Sequence, residues 1–288
     1  MNTLRILRNF PSYIRMDTLE EILDTEVPHI SFLPRETVQR ILDEKRKSKT
    51  PCNYDTWSKL VKILGAGHFS STREICVPKH NCKNRLAVKT TVLTKTNVFV
   101  YQNDIRALKF IDKHTTDSIV PKLIDNFECA CSPLKPLNIG VEIMEYLPNT
   151  LTDYVDKQPK LPFTWWKQIF AQLLSILDTL ERLRISHNDL QPDNVMMFKA
   201  SRTDPVIKLI DFGSASSSNK NLTLYGGIPT FFGPASMKFE SGRDLLNFCQ
   251  GLTLIASKLP PKIREFCEQV EELDIRGNRV TIKDLMSA

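Results

Sequence analysis

The chain has 288 residues, 41% of them apolar and 25% charged, with a formal net charge of +6. That is ample for a packed core of one or two domains and places the chain with ordinary soluble globular proteins. The positive balance suits binding of phosphates or acidic substrates, or a solvated basic surface. No nucleic-acid motif and no apolar run of membrane-spanning length accompanies it.

Seven cysteines occur: Cys52, Cys76, Cys82, Cys129, Cys131, Cys249 and Cys267. None forms a C-x-x-C pair, and Cys129-Ala130-Cys131 has no histidines beside it, so the expectation is reduced thiols rather than a zinc site. The N-terminus has no long apolar run to act as a signal peptide, and Asn2 stands where myristoylation needs glycine. The expected location is intracellular, in cytoplasm or nucleus.

Residues 1–56 read as a helical extension. One amphipathic pattern starts at Asp17 as N-cap and runs through Leu19, Ile22 and Leu23. A second begins at Pro34-Arg35-Glu36 and runs through Val38, Ile41 and Leu42. Its end, Lys45-Arg46-Lys47-Ser48-Lys49, reads as a solvated helix end, or else as a nuclear address or phosphate patch. Both helices are expected to pack on the strand-rich part that follows. Residues 1–56 are also the part left for a partner or an intramolecular contact.

Leu60 to Leu64 is strand-like and leads into Gly65-Ala66-Gly67-His68-Phe69-Ser70-Ser71. Two glycines one residue apart let a hairpin backbone come close to a phosphate chain, although the same spacing makes a plain turn. Further strands are expected at Arg73 to Val77 and Leu86 to Thr90. The latter carries Lys89, and a buried ammonium requires a phosphate or carboxylate partner. Tyr101 to Ile111 is an amphipathic helix carrying Asp104. Leu123 to Phe127 and Ile139 to Leu147 read as paired strands. Thr164 to Arg184 is a core helix, capped by Thr164, with Ile169, Leu173, Leu174, Ile176, Leu177 and Leu180 on one face.

That helix delivers Ile185-Ser186-His187-Asn188-Asp189-Leu190-Gln191-Pro192-Asp193-Asn194, followed by Lys208-Leu209-Ile210-Asp211-Phe212-Gly213. An Asp with an Asn five residues on, then an Asp in a Phe-Gly turn, resembles the catalytic and metal-binding loops of protein kinases. The resemblance covers about 57–288. It implies a two-lobed α+β kinase fold: a small lobe with hinge over 57–147 and a helical large lobe over 148–288. It further implies use of ATP and Mg²⁺. Asp189 would be the catalytic base, with Asn194 and Asp211 holding the metal. Lys89, in Leu86-Ala87-Val88-Lys89, would pair with Asp104 and bind phosphate. Leu64, Gly65, Gly67, Phe69, Ala87, Glu145, Leu147 and Met196 would surround the nucleotide, the hinge residues through backbone groups, with Met144 as gatekeeper. Asp244 matches the helix Asp that binds the catalytic-loop backbone. His187 and Phe212 would pack together.

Several positions depart from the family. Asp104 replaces Glu and is one methylene shorter, so its pair with Lys89 needs a closer helix or a water. Asn188 replaces the Arg that receives a phosphorylated activation loop, so activity is expected not to depend on phosphorylation within residues 214–225. Gln191 replaces a catalytic-loop Lys, and Ile228 replaces the Thr that would bond it. Ala235 replaces the Glu that would pair with Arg279, with Glu240 as the substitute. Only 44 residues follow Asp244, which implies a reduced large lobe (288 − 244). In overall style this resembles the compact kinases encoded by large DNA viruses. The expected activity is transfer of the ATP γ-phosphate to Ser or Thr of protein substrates. The alternatives are a nucleotide-binding pseudokinase and a small-molecule phosphotransferase of the same fold.

Overall fold

The structure is a computed structural model. It describes residues 16–48, 52, 56–66, 70–95, 97–132, 135–226, 229–230, 233–234 and 236–275. The chain divides into two units, Ser31–Leu147 and Met1–Ile30 with Pro148–Ala288.

The Ser31–Leu147 unit holds β1 (Lys59–Ala66), β2 (Ser70–Val77), β3 (Asn84–Leu93), β4 (Leu123–Ser132) and β5 (Lys135–Glu145) in one antiparallel sheet, ordered β1-β2-β3-β5-β4. Side chains alternate between its two faces. One face carries Ile75, Val77, Leu86, Val88, Val141 and Ile143, and on it packs α2 (Arg35–Arg46) through Ile41, with Leu33, Val38, Leu42 and Trp57 around it. The other face carries Ala87, Lys89 and Thr91 of β3 opposite Met144, Glu142 and Gly140 of β5. Against it lies α3 (Asn97–His114), whose Tyr101 ring occupies the space above Gly140.

The basic end of α2 is not simply solvated. Lys45 pairs with Asp125 of β4 and lies 3.7 Å from the Phe127 ring centroid, so it anchors α2 to the sheet. Lys47 pairs with Glu44. The expectation of reduced thiols throughout is also corrected. Cys52 is disulfide-bonded to Cys129, and Cys76 to Cys82, while Cys249 and Cys267 are free and buried. The β2–β3 hairpin returns Cys82 to Cys76, and Cys129 is brought to Cys52 from 77 residues away.

The other unit is built around α5 (Phe163–Arg182). Its expected apolar face is buried, but Thr164 lies inside the helix and Pro162 occupies the N-cap. The first helix of the chain, α1 (Met16–Leu23), belongs here and not with the sheet as expected. It begins before Asp17 and buries Leu19 and Ile22 completely. Its Glu21 pairs with Lys262 at 2.6 Å and Lys167 at 3.6 Å, which places α1 against α5 and the late helix α7 (Pro261–Ile275). Amphipathic spacing shows that a helix buries one face but not against what, hence the wrong assignment. The same unit holds α4 (Leu151–Asp156), capped by Thr150 Oγ1 accepting from Asp153 N–H, and α6 (Arg243–Gly251). A small sheet pairs β6 (Asn149–Thr150), β8 (Val195–Lys199) and β9 (Val206–Leu209), and β7 (Ile185–Ser186) pairs with β10 (Ser216–Ser217).

Candidate functional site

The loop after β7 is held from beneath by α6. Asp244 Oδ2 accepts the His187 N–H and its Oδ1 accepts the Asn188 N–H, each at 2.8 Å. Burial pushes the Asp244 carboxyl up, opposed by His187 and by these two bonds. One turn on, Asn247 Nδ2 donates to the Asn188 carbonyl at 2.9 Å. Gly251 ends the same helix against Pro192 and Gln191. A Cβ there would stand 2.7 Å from Pro192 Cδ, so the helix approaches the loop as closely as only glycine permits.

Within the loop, Asn188 adopts φ 66°, a left-handed conformation that Asn tolerates better than most residues. Asp189 follows, half-buried. Asn194 Nδ2 donates to the Asp189 carbonyl at 2.7 Å, which leaves the amide oxygen of Asn194 as its remaining polar atom. The Asn194 carbonyl accepts the Ile210 N–H at 3.0 Å. That bond extends the β8–β9 ladder and sets Asn194 beside Asp211. Asp211 itself has φ 63°. His187 Nε2 lies 2.8 Å from the Ile210 carbonyl and therefore donates to it, so Nδ1 is the acceptor that faces the Asp189 N–H at 3.4 Å. The His187 and Phe212 rings pack with centroids 4.6 Å apart, as expected. Gln191 is half-buried and Met196 lies half-buried on β8.

In the sheet unit, Lys89 Nζ donates to Asp104 Oδ2 at 2.6 Å, both residues being buried. The shorter acid is accommodated by a closer helix. Gly140 has no side chain, the Tyr101 ring sinks into its place, and α3 comes down onto the sheet. Ala87 and Met144 stand opposite each other on the face that carries Lys89. Glu145 Oε2 accepts the Lys122 N–H at 3.1 Å, and the Glu145 N–H donates to the Lys122 carbonyl at 2.9 Å. Leu147 is buried, Leu64 is half-buried and Gly65 ends in open space. Gly67, Phe69, Ile228, Ala235, Arg279 and the helix expected at 281–286 lie outside the described residues. Glu240, the expected partner of Arg279, accepts from Ser236 Oγ at 2.8 Å.

Four residues here had no sequence signal of their own. Asn247 reads as an ordinary helix residue. Gly140 and Glu142 read as an irregular strand. Glu74, opposite Ala87, is fully buried and accepts from Arg85 Nε at 2.5 Å; the Arg85 guanidinium lies 4.3 Å over the Tyr146 ring.

A metal fits this arrangement chemically. Asp211 and the Asn194 amide oxygen are hard oxygen donors on neighbouring segments joined by the Ile210–Asn194 bond, and Mg²⁺ characteristically takes one or two protein oxygens and completes its shell with phosphates and water.

A five-stranded antiparallel sheet with a Lys–acid pair, a loop carrying Asp189 and Asn194 braced by a helix Asp, and a turn after β9 carrying Asp211 define a two-lobed α+β protein kinase domain. Residues 58–241 match the protein kinase domain model, and the chain belongs to that family. It is 37% identical over 181 residues to homeodomain-interacting protein kinase 1 of Caenorhabditis elegans, covering 62% of this chain and 20% of that protein. It is 25% identical over 171 residues to homeodomain-interacting protein kinase 1 of Mus musculus, covering 59% and 14%. To serine/threonine-protein kinase unc-51 of Caenorhabditis elegans it is 28% identical over 142 residues, covering 43% and 16%. The chain thus spans about a fifth or less of the length of these relatives.

Proposed function

We propose that the chain transfers the γ-phosphate of ATP to Ser or Thr hydroxyls of protein substrates, and does so without phosphorylation of residues 214–225. The observation that carries the first part is the bond from Asn194 to the Asp189 carbonyl together with the ladder bond to Ile210. These bonds tie Asn194 to the backbone of Asp189 and to Ile210, the residue before Asp211, which supports a shared role for the three. Asp189 orients the substrate hydroxyl and takes its proton. Asn194 and Asp211 hold Mg²⁺, which when bound neutralises phosphate charge. Lys89, paired with Asp104, binds phosphate oxygens. Gln191 supplies a neutral hydrogen-bond donor beside the acceptor. The preference for Ser/Thr rests on Leu190-Gln191-Pro192-Asp193-Asn194 and on the similarity to serine/threonine-protein kinase unc-51.

The second part is supported by Asn188. Its Nδ2 donates to the Ser214 carbonyl at 2.9 Å and to Ser216 Oγ at 3.0 Å, and Ser216 Oγ donates on to the Lys238 carbonyl at 2.9 Å. The segment after Asp211 is thus tied to the loop by neutral bonds where a cation would need a phosphate. The test is incubation of the full chain with labelled ATP, Mg²⁺ and generic protein substrates, beside Asp189→Asn and Lys89→Met. Label in the wild type alone is expected, and it should survive phosphatase treatment. Equal label in wild type and Asp189→Asn would remove the enzymatic reading.

A further inference from the structure

Within the Ser31–Leu147 unit, α2 leaves a cleft at the start of β3 that the proposed chemistry does not use. Thr37 and Ile41, one turn apart, turn one face of α2 towards it. Leu86 of β3 stands opposite Glu145 of β5 on the sheet face that α2 covers. The space enclosed is about 350 Å³, a size that receives ligands and anchoring side chains. Its floor is apolar, made by Leu33, Ile41 and Leu86. Its rim is cationic. Arg40 Nη2 donates to Thr37 Oγ1 at 3.1 Å, which sets the guanidinium on the α2 side. Lys83 stands on the sheet side, in the basic turn Lys79 to Arg85 that joins β2 to β3. Both residues are exposed, and neither has a carboxylate partner among the described residues. Arg85, also at the rim, is already held by Glu74 and the Tyr146 ring. The acid of the wall, Glu145, is buried and accepts the Lys122 N–H. The Cys76–Cys82 bond ties the basic turn down one residue before Lys83, so that side of the rim is ordered before a ligand arrives.

We propose that this cleft docks an acidic peptide segment of a partner protein. An apolar side chain of the segment enters over Leu33 and Leu86, and carboxylates on either side of it meet Arg40 and Lys83. An inorganic anion would leave the apolar floor uncovered, and a neutral apolar ligand would leave both cations unanswered. A chain with an apolar anchor between acids satisfies floor and rim together. An extended chain advances about 3.3 Å per residue, so its acids fall outside a cleft that holds the anchor, where the two cations stand. Docking here does not depend on the phosphate transfer proposed above.

The test is fluorescence anisotropy of labelled peptide pools with the full chain. The first pool has a Leu, Phe or Trp anchor flanked on both sides by Asp and Glu. One control pool carries Ser in place of the anchor, and another carries Lys in place of the acids. The first pool should bind saturably with Kd below about 1 mM, and more tightly than either control. Arg40→Glu combined with Lys83→Glu changes only exposed side chains and should weaken this binding about fivefold or more. Thr37→Trp, which fills the cleft from its α2 side, should abolish it, with an unchanged Tm in both variants showing that the fold is kept. No saturable binding, equal binding of the Ser pool, or binding that survives unchanged in both variants overturns the proposal. So does attachment to phosphatidylserine vesicles with none to the peptides, which would mark a basic surface directed at lipid. A chain that docks the first pool yet transfers no phosphate would sink the proposed function and leave this proposal standing.

Discussion

Gly140→Ala tests whether the fit of α3 on the sheet sustains the Lys89–Asp104 pair. An alanine Cβ at this position would stand 2.6 Å from Tyr101 Cδ2 and Cε2 and 2.8 Å from Cγ. Carbon–carbon contacts relax at about 3.5–4.0 Å, so the ring must withdraw by roughly 1 Å. It cannot swing aside without cost, because the Tyr101 hydroxyl donates to the Phe127 carbonyl at 3.1 Å. The retreat passes to the helix, and Asp104 moves with it. A 2.6 Å contact stretched by roughly 1 Å leaves hydrogen-bonding range. Overpacking costs about 1–3 kcal/mol, and a buried pair broken outright about 3–5 kcal/mol. The overpacking term alone, about 1–3 kcal/mol, lowers Tm by roughly 2–12 °C for a chain of this size, and outright loss of the pair adds to that. Differential scanning fluorimetry with and without ATP–Mg²⁺ should show that fall and a weaker stabilisation by nucleotide. Adding Tyr101→Leu, which removes the ring, should recover part of both. A Gly140→Ala chain with wild-type Tm and wild-type response to nucleotide would refute the reasoning, as would a failure of Tyr101→Leu to restore anything.

Other expectations follow from neighbouring features. Asp244→Ala leaves two buried backbone N–H groups without their acceptor and should cost about 2–4 kcal/mol in urea unfolding, with loss of transfer activity. Asn188→Ala should lower activity and make residues 214–218 more protease-sensitive, because the bonds to Ser214 and Ser216 go; unchanged proteolysis would count against the bracing role. Ile41→Ala should destabilise by about 2–5 kcal/mol, since its side chain is buried between α2 and the sheet. Absorbance titration at alkaline pH should show one tyrosine ionising near pH 12, lost in Tyr101→Phe. The sign for stability is fixed by the raised value. Tyr101 contributes fully below the unfolded value of about 10, and this contribution is lost as pH rises through about 12.

The chemistry was the most legible part of the sequence because it resides in short segments. Asp189, Asn194, Asp211 and the bracing Asp244 were indicated by the resemblance of their short motifs to those of protein kinases, and the apolar face of α5 by its period. What stayed hidden depends on contacts between distant segments. The side on which α1 packs is decided by Lys167 and Lys262, far along the chain from Glu21. The bond between Cys52 and Cys129 follows from strand order, which no local pattern encodes. Glu142 looked like one more polar residue in an alternating strand, because only the pairing of β5 with β3 sets it opposite Lys89. Thr164 was misjudged for a local reason: Ser and Thr favour N-caps, but Pro162 already fixes an extended backbone at that end of the helix.

The placement of α2 and of Asp244 bears on where this domain begins and ends as a folding unit. The segment that matches the family runs over 58–241, yet the sheet it contains is watertight on one side only because Ile41 and its neighbours lie upstream of that segment. The acid that braces the reactive loop sits three residues downstream of it. Trimmed to the matching residues, the chain would expose a continuous aliphatic surface and leave two loop amides unanchored. The matching range is therefore smaller than the set of residues that packs around its sheet and reactive loop.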